Sequence, residues 1–240
     1  MSARRNANQS EGLVMQIPVG SIYLRGRLLL ADHPRGLVIV ANGDGDHLYD
    51  ETNAYVARQL AEAGFATLAI DLLTPTEAIE DAETSALRFH QSLLASRLVR
   101  VTHWVRSRPV FSGLEVGYFA SGLCAGAAIA AASVASTVGA VVCRGARVDL
   151  VVPQIQNVRA PVLLLVGERD TAHIAASRGA YWLLPESARL EVIPNGGHLL
   201  DDLLALGRVV DEAKRWFGDA FEGSPAALDD VIDGMLAGVP

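Results

Sequence analysis

Apolar residues in this chain gather in short continuous runs, separated by stretches with helical spacing. Runs rich in Val, Ile and Leu lie at Leu37–Ala41, Ala66–Ile70, Val116–Phe119, Ala140–Cys143, Val162–Val166 and Leu190–Ile193. Most are unbroken rather than alternating, as strands are when both of their faces are covered. Two weaker segments, Leu13–Ile17 and Tyr23–Leu30, precede them and predict an antiparallel start. Helical stretches fit in between. Ala54–Ala63 follows the cap-type residues Asp50 and Thr52 and stops at Gly64. Leu87, Leu94, Leu98, Val101 and Val105 share one face of a long helix ahead of Pro109, and Leu203, Val210, Ala213 and Phe217 do the same near the C-terminus.

Repeated strand–helix–strand order predicts an α/β fold, with a mostly parallel central sheet and helices on both faces. No internal repeat or Gly/Ser linker interrupts the pattern, so a single domain is expected over 1–240. Within it, 1–12 reads as a flexible N-terminus and 218–240 as an appended C-terminal segment. Connections are short apart from Leu72–Ser85, which leaves no room for a sizeable lid.

The most informative residues are Gly122-Leu123-Cys124-Ala125-Gly126. They follow the strand Val116–Phe119 and open an Ala-rich stretch suited to a closely packed helix. A small–x–nucleophile–x–small pattern at such a junction resembles the nucleophile elbow of the α/β-hydrolases, with cysteine in place of serine. The turn is too tight for bulky neighbours, and the helix that follows aims its amides and positive dipole end at a developing oxyanion. Alone, the pattern fits a buried structural cysteine equally well.

Chain order strengthens it. Val162–Val166 runs into Gly167-Glu168-Arg169-Asp170, which puts a carboxylate after a strand, and Leu190–Ile193 leads through Pro194-Asn195-Gly196-Gly197 to His198. Nucleophile, acid and histidine in that order, each at the carboxyl end of its own strand, is what this chemistry needs. Asp170 could instead cap the next helix, and Glu168 is a rival acid. His47 and His173 compete with His198, which is preferred for its glycine turn; His33, His90 and His103 read as loop or helix-surface residues. Arg144, directly after Ala140–Cys143, could anchor a substrate carboxylate or pair with Asp149 or another loop acid. Cys143 reads as buried in its strand, and Asp44, Asp46 and His47 as a solvated turn rather than a metal site.

Composition narrows the partners. With 20 Lys and Arg against 27 Asp and Glu, the net charge is −7, which argues against nucleic acid. Half of the residues are hydrophobic, enough for a generous core. The longest apolar-looking stretch, Cys124 to Val134, is too short to span a membrane. A polar N-terminus and two cysteines point to the cytoplasm. A monomer or homodimer acting on a small molecule is expected, with Leu228–Leu236 a stretch that could pack on the body or on a second subunit.

Cys124, Asp170 and His198, together with Gly64-Phe65-Ala66-Thr67-Leu68-Ala69-Ile70-Asp71-Leu72, resemble the dienelactone hydrolase family over roughly Leu13 to Phe217. The resemblance implies an α/β-hydrolase fold and hydrolysis of small carboxylic esters or lactones, with no metal or organic cofactor. It departs at Ala41-Asn42-Gly43-Asp44-Gly45-Asp46, where the family's glutamate that meets the cysteine has no counterpart and Asn42 stands where esterases often carry histidine. In this reading His198 takes the proton of Cys124, Asp170 orients the imidazole, and a thioacyl-enzyme is hydrolysed by water. The oxyanion donors would be the backbone N–H groups of Ala125 and Asp44. Two other readings stay open: a non-catalytic small-molecule or partner-binding protein with a redox-sensitive thiol at Cys124, and an acyltransferase.

Overall fold

The computed structural model describes residues 12–43 and 51–222. Eight strands form one sheet: β1 (Leu13–Val19), β2 (Ile22–Leu29), β3 (Leu37–Asn42), β4 (Ala66–Asp71), β5 (Val116–Ser121), β6 (Val138–Arg144), β7 (Val162–Gly167) and β8 (Arg189–Ile193). Their order across the sheet is β1-β2-β4-β3-β5-β6-β7-β8. β1 and β2 pair antiparallel through a two-residue turn that starts at Gly20, whose positive φ of 65° suits a tight hairpin. β2 meets β4 antiparallel, and every later pairing is parallel. This is the mostly parallel α/β sheet that the apolar runs predict, in keeping with the α/β-hydrolase fold that the resemblance implies.

Continuous apolar runs become central strands because both faces are covered. Along β3, Leu37, Ile39 and Ala41 face one apolar layer while Val38 and Val40 face the other. The first layer packs against α3 (Gln91–Arg106) and α4 (Gly122–Ala132); the second packs against α1 (Glu51–Glu62) and α7 (Leu203–Ala220). Each large side chain so buried contributes about 1.5–3 kcal/mol. β1, at the sheet edge, alternates instead. α4 is buried over nearly its whole length, which is why it consists mainly of alanine and glycine. A Cβ on Gly126 would sit 2.8 Å from the Gln91 Oε1 and 3.3 Å from the Arg147 carbonyl oxygen.

Three boundaries differ from expectation. Leu72–Ser85 is not a loop but carries α2 (Pro75–Thr84), capped by reciprocal bonds between Thr74 and Glu77. Only Asp81 of α2 is buried, so the helix shows almost no apolar stripe. Charge holds it: Arg97 forks onto Glu77, and the Asp81 carboxylate accepts from the backbone N–H groups of Leu87 and Arg88 and from the Arg88 side chain. The long helix after it begins at Gln91, capped by His90, and leaves Leu87 in the preceding turn. Finally, the body does not end at 218. α7 runs to Ala220, and Phe221 is buried under the sheet, where side chains on Gly36, Gly117 or Gly139 would collide with its ring. The expectations for 1–11, His47 and Leu228–Leu236 lie outside the described residues.

Candidate active site

At the carboxyl end of β7 the chain turns through Glu168 and Arg169 into α6 (Thr171–Tyr181), with Asp170 as the N-cap. The Asp170 carboxylate does two things at once. It accepts the His173 backbone N–H at 3.3 Å, as a helix cap does, and it reaches the Nδ1 of His198 at 2.6 Å. The helix cap and the partner of His198, alternatives in the sequence, are the same residue here.

The loop that carries His198 is held from three sides. Glu168, the rival acid, accepts the backbone N–H of Asn195 at 2.8 Å and so fixes the turn after β8. The Arg169 N–H donates to the Gly196 carbonyl at 3.0 Å. Two glycines let the loop backbone come close: a Cβ on Gly167 would lie 2.2 Å from the Gly197 oxygen, and one on Gly145 would lie 2.5 Å from the His198 oxygen. The imidazole itself stays accessible, with 44% of the side chain exposed.

His173 also bonds Asp170, Nδ1 to Oδ1 at 2.8 Å, and its ring lies over that of His198 with centroids 4.2 Å apart. Sequence reasoning treated His173 as a competitor for the role of His198. Its position three residues after an N-cap aspartate was the signal that it would share the carboxylate. Burial works to raise the Asp170 pKa, but hydrogen bonds from the side chains of His173 and His198 and from the His173 backbone outweigh it. The carboxyl is therefore held below its ordinary value and stays ionised at neutrality. An ionised carboxylate only accepts, so each Nδ1 must donate, which leaves the Nε2 of a neutral His198 as a proton acceptor. Asp170, His173 and His198 are also a set of donor atoms within 4.8 Å of one another that could hold a metal ion. The Nδ1–O separations of 2.6 and 2.8 Å are those of hydrogen bonds.

The opposite wall is built differently. β5 ends at Ser121, the N-cap of α4, and the sharp change of direction falls on Gly122, with φ of +54°. Cys124 lies two residues further on, inside the first turn of α4 and only 3% exposed. Its Sγ points at the end of β3, where a Cβ on Gly43 would be 2.3 Å away. With Ser121 as cap, the first intrahelical bond uses the Ala125 N–H. The N–H groups ahead of it in the first turn, those of Leu123 and Cys124 among them, have no acceptor within the helix. Asp44, the other expected donor, lies outside the described residues.

Arg144 ends β6 beside Ser121 in the sheet register and is buried at 4% exposure. Asp149 is not its partner, because Arg147 grips that carboxylate through two bonds of 2.9 and 2.8 Å. Cys143 donates to the Ala125 carbonyl, and burial pushes its thiol pKa far up, so it is inert. Asn42 is a buried latch, its Oδ1 accepting from the Asn53 side chain at 2.7 Å.

A sequence model of the dienelactone hydrolase family matches residues 24–182. The chain belongs to that family. It is 41% identical to a dienelactone hydrolase of Anabaena variabilis whose crystal structure superposes with a TM-score of 0.84, covering 87% of this chain and 97% of that one. Est1E from Butyrivibrio proteoclasticus shares the fold at 17% identity, with a TM-score of 0.71 over 87% of this chain and 98% of its own. A Mycobacterium tuberculosis protein named "Putative phosphoribosyl transferase" is 40% identical over 206 residues, 85% of this chain but 46% of that one. The chain therefore spans about half the length of that curated relative. Membership of the dienelactone hydrolase family supports a hydrolase. No helix among the described residues is long and apolar enough to cross a membrane.

Proposed function

We propose that this member of the dienelactone hydrolase family hydrolyses small carboxylic esters or lactones, with His198 as the proton carrier. The observation that carries the reading is the 2.6 Å bond between the His198 Nδ1 and a lowered-pKa Asp170, at the carboxyl edge of the sheet. Asp170 fixes the tautomer and stabilises the imidazolium that forms, while the Nε2 takes a proton from the attacking group and returns it to the leaving oxygen. The backbone N–H groups of Leu123 and Cys124 would meet the oxyanion, each such donor being worth about 3 kcal/mol in the transition state. Asp44 stays a candidate for the second side of that hole. Arg144, buried at the carboxyl end of β6 beside Ser121, is a candidate to meet a polar or anionic group of the substrate.

A second reading makes the Cys124 thiol the nucleophile, through a thioacyl-enzyme. The approach of its Sγ to Gly43, on the loop expected to complete the oxyanion hole, favours placing it near the reacting carbonyl. Release of chromophore from short-chain aryl esters tests both readings. Loss of about 100-fold or more in His198→Ala supports the hydrolase; full activity in that variant would refute it. A matching loss in folded Cys124→Ala would select the thioacyl route.

A further inference from the structure

We infer that Gly122, rather than Cys124, occupies the nucleophile's seat in this fold, and that the attacking oxygen is consequently supplied by water. An elbow nucleophile stands on the strained residue between strand and helix. In this chain that residue is Gly122: β5 stops immediately before it, α4 starts on it, and φ is +54°. Cys124 does not adopt a positive φ and lies within the helix.

Space and surroundings agree with this assignment. Among the described residues a Cβ built on Gly122 meets nothing within 4 Å outside its own helix and chain neighbours, whereas a Cβ on Gly43 runs into the Cys124 thiol and those on Gly145 and Gly167 run into backbone. The Gly122 carbonyl accepts the Arg147 N–H at 3.3 Å, and Gly145, in the same short segment, lies against the His198 backbone. One stretch of chain, Gly145–Arg147, therefore ties the seat to the histidine loop. The seat is open among the described residues and carries no side chain.

The consequence is a single displacement. Water gives one proton to the His198 Nε2 as its oxygen bonds to the ester or lactone carbonyl carbon. The tetrahedral oxyanion then collapses, the bond to the leaving oxygen breaks, and the imidazolium returns the proton to that oxygen. The products are a carboxylic acid and an alcohol, joined in one molecule when the substrate is a lactone. No residue of the chain is acylated, and Cys124 packs behind the seat against Gly43. The choice of substrate rests on the hydrolase reading above; the identity of the seat does not.

The test installs the missing group. Gly122→Ser and Gly122→Ala carry the same backbone cost, and circular dichroism establishes that both fold. Each is treated with an alkyl fluorophosphonate probe and mapped by peptide mass spectrometry. The expected result is labelling at position 122 in Gly122→Ser, at least 100-fold slower when His198→Ala is added, and none in Gly122→Ala. In parallel, wild type turning over p-nitrophenyl acetate is quenched in acid and weighed intact, and no acyl adduct is expected. A folded Gly122→Ser that reacts no faster than Gly122→Ala would overturn the seat, and so would an acyl group on Cys124 of the wild type. Should Gly122→Ser be fully unfolded, the wild-type quench still decides the matter, an adduct refuting and none supporting the inference in an enzyme that turns over. If wild type hydrolyses no ester while Gly122→Ser is labelled, the seat is supported and the hydrolase reading is what fails.

Discussion

The two walls of the site are unequally built. On the β7 and β8 side, Asp170, His173 and His198 form one hydrogen-bonded unit, Glu168 holds the Asn195 N–H of the same loop, and Gly145 and Gly167 allow the histidine loop to sit backbone to backbone against its support. On the β3 and β5 side the turn apex is a glycine, the nearby thiol is buried, and Asn42 is committed to Asn53. Under the proposed assignment, the acid–base pair is assembled while the elbow carries no side chain. Proton transfer and nucleophile presentation are separable requirements.

The largest effect is expected from disconnecting the better-built wall. Asp170→Asn keeps the shape but removes the charge that selects the tautomer, and ester hydrolysis should fall by about 10²–10⁴-fold. A loss below tenfold, in steady-state kinetics, would mean that this wall is not the working one. Next comes Gly167→Ala. Its Cβ would lie 2.2 Å from the Gly197 oxygen, so the His198 loop must move. A shift of order 1 Å at a reacting group costs about 100-fold, and kcat should fall with little change in the far-ultraviolet spectrum.

A smaller effect is predicted on the opposite wall. Gly43→Ala forces a methyl onto the Cys124 Sγ and should destabilise by about 1–3 kcal/mol in urea unfolding. Cys124→Ala removes the obstruction, so the double variant should recover most of that loss. Absence of coupling between the two substitutions would show that the thiol does not pack against Gly43.

The least of these effects is the pH dependence of stability. Because the Asp170 pKa is lowered by folding, the folded state binds the proton less well than the unfolded one. Its contribution is complete above the ordinary carboxylate value of 3.8 and is lost as pH falls through the lower folded value. Urea midpoints of Asp170→Asn should accordingly vary less between pH 5 and pH 2 than those of wild type.

Much of this was legible in the sequence, and the exceptions have physical reasons. Strands covered on both faces announce themselves as unbroken apolar runs, which is why β3 to β8 fall where Leu37, Ala66, Val116, Ala140, Val162 and Leu190 place them, to within two residues. α2 was not legible from periodicity because ion pairs rather than an apolar stripe hold it. The Thr74–Glu77 capping pair, with Pro75 directly after the cap, was the available sign. Asp170 and His198 could be read from their strand ends. The proposed elbow register could not. Ala120, Gly122, Cys124 and Gly126 are small at every second position, so the same pattern can be centred on 122 or on 124, and only the backbone angle at Gly122 distinguishes the two.

The most direct check is a stopped-flow trace of p-nitrophenolate release at enzyme and substrate concentrations of the same order, with Gly122→Ser as the positive control. Release by wild type should be linear from the first turnover, and the control should show a burst of one equivalent before its steady rate. A stoichiometric burst from wild type that disappears in Cys124→Ala would contradict the account, because the thiol would then be the nucleophile.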